Sequence, residues 1–73
     1  MVYEFKYLTK EDRLLVLERR QKANEYDMYE LQIKLQELEQ ASNLDTEMID
    51  IYTNAINDKM AQISLLESMI VEL

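Results

Sequence analysis

The chain contains no cysteine, no histidine, no proline and no glycine, and each absence removes a class of chemistry. Without cysteine there is no disulfide framework, no zinc–thiolate site and no thiol nucleophile. Without histidine the commonest general base and the commonest metal ligand are missing, and a four-helix di-iron site of the Glu-x-x-His kind goes with it. Without glycine there is no phosphate-cradling loop and no nucleophile elbow. Ser42, Ser64 and Ser68 have no imidazole to activate them. The expectation is a non-enzymatic protein with no cofactor, no metal and no catalytic residue. Long hydrophobic runs are absent too: no apolar stretch approaches the ~20 residues of a membrane span. The first eight residues mix aromatics with charges instead of placing a basic segment before an apolar one. A cytoplasmic location and no membrane partner are expected.

What is present points to helices. Hydrophobic residues make up 48% of the chain, too many for a disordered segment, and nothing in it breaks a helix. Seventy-three residues make one domain at most. A chain this short supports only a marginal core, so a partner is expected. The net charge is −7, unevenly spread: residues 1–22 hold six basic and four acidic side chains, residues 23–73 two basic and eleven acidic. Such an acidic body disfavours nucleic acid and anionic membrane and favours basic protein surfaces.

In order, Tyr3, Phe5 and Tyr7 alternate with Glu4 and Lys6. This period of two suits a strand or extended arm with one aromatic face. Such an arm must pack on its own helices, pair with a copy, or add to a partner's sheet edge. Thr9 to Asp12 has the form of a capping box with Asp in the third position. From there Leu14, Leu17, Gln21, Asn24, Met28, Leu31, Leu35 and Leu38 follow strict three-four spacing, the period of a coiled-coil seam. Ser42, Asn43 and Asp45 form the only cluster whose short polar side chains compete with helix bonding, which places the turn there. Asp45 or Asn43 is the expected N-cap, with Glu47 and Asp50 in the favourable first turn. A calcium loop would need a glycine and alternating oxygen ligands.

The second track is Ile49, Tyr52, Ile56, Lys59, Ile63, Leu66, Ile70 and Leu73. Folding at the turn brings Leu38 to Ile49, Leu31 to Ile56 and Leu14 to Leu73, and every such pair of residue numbers sums to 87. The expected fold is all-α: an antiparallel two-helix coiled-coil hairpin with a short extended N-terminal arm, assembling into a dimeric four-helix bundle. The arm covers residues 1–8 and the hairpin 9–73, with helix 1 over about 10–41, the turn at 42–45 and helix 2 over about 46–72. Gln21, Asn24 and Lys59 make the middle of the seam polar, as register-fixing residues do at some cost in stability. Lys59 is expected to snorkel towards Asp27.

More apolar surface remains than one hairpin buries. Helix 2 has a second stripe at Met48, Ile51, Ala55, Ala61, Leu65 and Met69, and helix 1 one at Leu15, Tyr26, Tyr29 and Ile33. A second helix pair would cover such stripes, and methionines adapt to varied partners. The expected partner-binding residues are therefore Tyr3, Phe5, Tyr7, Leu15, Tyr26, Tyr29, Ile33, Met48, Ile51, Leu65 and Met69. Arg19, Arg20 and Lys22 are candidates for phosphate contact, although Glu11, Asp12 and Glu18 lie among them.

Leu8-Thr9-Lys10-x-Asp12, followed by Leu14, Leu17 and the Arg19-Arg20 pair, resembles the opening of the small enterobacterial Hha/YmoA-type nucleoid-associated regulators. The resemblance covers about thirteen residues. The long heptads beyond do not fit that family, and no functional residue is carried over.

The functional expectation is a protein–protein interaction module, an adaptor, inhibitor or assembly factor, with a second copy and a hetero-partner as its partners. A small nucleic-acid-associated regulator using the basic start of helix 1 is one alternative. An acidic nucleic-acid mimic is another, but Glu47, Asp50, Asp58, Glu67 and Glu72 form no phosphate-like array.

Overall fold

The computed structural model describes residues 7–73; Tyr3 and Phe5 of the expected arm lie outside the described residues. Those described form two helices, α1 (Lys10–Gln40) and α2 (Thr46–Val71), packed against each other as a hairpin, with no strand among them. Each helix ends one residue before its expected limit.

Both helix starts follow from local chemistry. Thr9 has extended backbone and caps α1: its Oγ1 accepts from the Asp12 N–H and Asp12 Oδ2 accepts from the Thr9 N–H, both at 3.1 Å. Two otherwise orphaned donors are thereby satisfied. Asp45, not Asn43, caps α2, its Oδ1 accepting from the Met48 N–H at 3.1 Å. The turn explains how the chain does without glycine. Helices often end on a left-handed residue, but Ala41 is extended, at φ −67° and ψ 147°. No described residue has positive φ, so no position requires glycine's freedom.

The seam lies on the two three-four tracks. On α1 the partly covered residues are Leu14, Leu17, Gln21, Asn24, Met28, Leu31, Leu35 and Leu38, with Arg13 beside them. On α2 they are Ile49, Tyr52, Ile56, Lys59, Ile63, Leu66, Ile70 and Leu73, with Met48 and Ala55 beside them. Side-chain contacts fix the register. Lys59 Nζ lies 3.2 Å from Asp27 Oδ2, and Lys34 Nζ stands 6.0 Å from the Tyr52 ring centroid.

The core is thin because two helices make a single layer. Only Ile56 and Leu66 fall below a tenth exposed among the described residues, and no side chain is fully enclosed. Facing rows in a two-helix pair are covered from one side only, so even seam residues stay half-buried.

Candidate interaction surfaces

The polar centre of the seam is a connected network. Lys59 Nζ donates to Asn24 Oδ1 at 3.3 Å as well as to Asp27. The Asn24 amide donates onward to the Arg20 carbonyl at 3.0 Å. Lys59 thus keeps its aliphatic stem in the seam and carries its charge to one edge. The arrangement gives the cation two side-chain acceptors, one in the seam and one at its edge.

That edge opens onto one broad face of the hairpin. From α1 it shows Arg13, Val16, Arg20, Ala23, Asp27, Glu30, Lys34 and Glu37, at three-four spacing one step off the seam. From α2 the corresponding line is Met48, Ile51, Ala55, Asp58, Gln62, Leu65, Met69 and Glu72. Two grooves open on this side, and the first is lined from both lines. One, of about 360 Å³ at the open end, is lined by Leu8, Arg13, Val16, Leu17, Met69, Glu72 and Leu73. The other lies between Asp27, Glu30, Leu31, Lys34 and Lys59. In the first, the Nε of Arg13 is covered and has no hydrogen-bond partner among the described residues, an arrangement that buried polar groups normally avoid.

Of the expected contact residues, Ile51, Leu65 and Met69 are exposed on this face, at 51%, 61% and 43%. Met48 is half-buried beside the seam and offers less free surface than its place in the stripe suggests. Tyr26, Tyr29 and Ile33 form a separate exposed patch on the outer side of α1, with Leu15 three turns earlier on the same line. The structure therefore divides eight of the eleven candidates between two surfaces; Tyr7 is almost fully exposed, and Tyr3 and Phe5 lie outside the described residues. Val16, exposed at 46%, is absent from the expected set, yet it stands beside Met69 in the open-end groove. Its signal was the spacing Arg13-Val16-Arg20-Ala23, which repeats the three-four step on the flank of the seam.

Arg19, Arg20 and Lys22 are all exposed but do not form one cluster. At 100° per residue Arg19 and Lys22 share the outer side of α1, while Arg20 turns to the broad face. Among the described residues no group of carboxylates could hold a metal ion, and no helix is long and apolar enough to cross a membrane. Comparison of the chain with protein-family models, with curated proteins and with solved structures finds no match in any of the three.

Proposed function

We propose that the protein is a non-enzymatic protein–protein interaction module, whose hairpin is one half of a dimeric four-helix bundle and whose outer tyrosine patch meets a further protein. The observation that carries this reading is the imbalance of apolar surface. Two side chains are buried among the described residues, while Val16, Ile51, Leu65 and Met69 stand exposed on one face and Tyr26, Tyr29 and Ile33 on another. Exposed apolar side chains gathered on one face in this way mark association sites. A chain this small gains from a partner the burial it lacks alone. Once the broad face is covered, the tyrosine patch remains outside, with the aromatic surface and polar tips common in contact sites.

The test is solution mass by light scattering, from micromolar to millimolar concentration, for the unchanged chain and for Leu65→Asp. Leu65 is exposed in the hairpin, so the substitution leaves the hairpin contacts in place. The expected result is a dimer that Leu65→Asp shifts to monomer. A dimer indifferent to Leu65→Asp, or a helical chain that stays monomeric throughout, would sink this reading.

A further inference from the structure

The broad face has an order of charge along it. On α1, Arg13 and Arg20 stand towards the open end, and Glu30 and Glu37 towards the turn. The hairpin repeats the asymmetry: residues 26–61, the half next to the turn, carry two basic and eight acidic side chains. The open half, residues 7–25 with 62–73, carries five and six. The last turn of α1 has no basic residue, so Glu37 faces the negative end of the helix dipole without a compensating cation. At the other end the covered Nε of Arg13 has no partner among the described residues.

We propose that a second copy of this chain seats on this face, antiparallel, about a twofold axis crossing α1 near Glu25 and α2 near Gln62. The inference rests on the interaction-module reading and adds the identity and register of the occupant. In this register Arg13 meets Glu37 of the second copy and Arg20 meets Glu30, residue numbers summing to 50 in each case. On α2, Ala55 meets Met69 of the copy and Gln62 meets its own counterpart. The two helices agree because residues 25 and 62 already lie at one level in the hairpin. Glu37 of the copy then brings a carboxylate to the Arg13 Nε, which has no hydrogen-bond partner among the described residues, and the turn end of the copy closes the open-end groove.

Other placements meet like charge. Sliding the copy by about one turn of helix one way sets Arg20 against Lys34 and Asp27 against its counterpart; the other way it sets Arg20 against Asp27 but Arg13 against Lys34. Laying α1 over α2 of the copy brings Glu30 beside Asp58. The area is also suitable. The hairpin extends 55 × 22 × 17 Å, and a face about 40 Å by 20 Å offers roughly the 800 Å² per partner of a stable interface.

The experiment is reciprocal charge reversal, read as the dimer dissociation constant by sedimentation equilibrium, with circular dichroism checking helix content. Arg20→Glu alone and Glu30→Arg alone are each expected to weaken the dimer about tenfold or more, since like charges then oppose each other twice per dimer. The chain carrying both reversals restores both pairs and is expected to return to within about threefold of the unchanged chain. A dimer unmoved by the single reversals, or not rescued by the pair, overturns this register. If Leu65→Asp still dissociated that dimer, the interaction-module reading would survive. A chain monomeric at every concentration overturns both.

Discussion

Lys59 shows at the scale of one residue how this hairpin balances stability against uniqueness. Its position belongs to a row otherwise filled by Ile49, Tyr52, Ile56, Ile63, Leu66 and Ile70. An apolar side chain there would pack against Met28 and Asn24 without the need to carry a charge to the edge. What the lysine adds is direction: only the observed register brings its ammonium within 3.3 Å of both Asn24 and Asp27. Asp27 is 55% exposed at its side chain, so the ion pair itself contributes less than about 1 kcal/mol. Lys59→Leu is therefore expected to raise the thermal midpoint of the hairpin, since replacing a half-buried charge by a packed apolar group is neutral to stabilising. It is also expected to loosen oligomer state, as loss of a register-fixing polar residue does. Thermal melts by circular dichroism together with light scattering check both; a lower midpoint would show that the polar network stabilises more than packing does.

At the scale of the element, both helices begin on a capping side chain and neither uses glycine to stop. The Asp45 carboxylate is the last polar group before α2 and holds the Met48 N–H. Asp45→Ala is expected to cost about 1 kcal/mol, which lowers the midpoint of a domain this size by roughly 4–8 °C. Asp45→Asn keeps the acceptor and should lose much less; equal losses from the two substitutions would show that charge near the helix dipole, not capping, is what matters. Ala41 sits where many helices place glycine, but its ψ of 147° is open to any residue. The absence of glycine from the sequence and of positive φ from the described backbone have one cause, a turn made only of extended and right-handed conformations.

At the scale of the whole molecule, the hairpin is one layer thick and its seam is covered from a single side. In the proposed dimer, stability is then coupled to the copy that covers the broad face. Binding to the folded state alone raises apparent stability by mass action, so the thermal midpoint is expected to climb with protein concentration, and to stop doing so in the Leu65→Asp chain. A midpoint flat over a hundredfold range for the unchanged chain would contradict the coupling. In the proposed dimer the tyrosine patch stays outside the covered face, on the outer side of α1.

The two helices, their caps and the rows that face each other were legible in the sequence because they are set by short-range rules. Helical period decides which residues share a face. Thr9, Asp12 and Asp45 satisfy donors three residues away, and Ser42 to Asp45 is the only stretch where polar side chains compete with the helix. Other features needed two helices in place at once. That Lys59 reaches Asn24 as well as Asp27 depends on residues 32 and 35 positions distant. That Met48 is half-covered while Leu65 and Met69 are not depends on which flank of α2 leans towards α1. Val16 is the one large apolar residue on its flank line, between Arg13 and Arg20, and becomes part of an apolar surface only when α2 carries Met69 and Leu73 to its side. The period of one helix gives angles about its own axis. Only packing against the second helix turns those angles into an inside, an outside and a face where the Arg13 Nε is covered without a hydrogen-bond partner among the described residues.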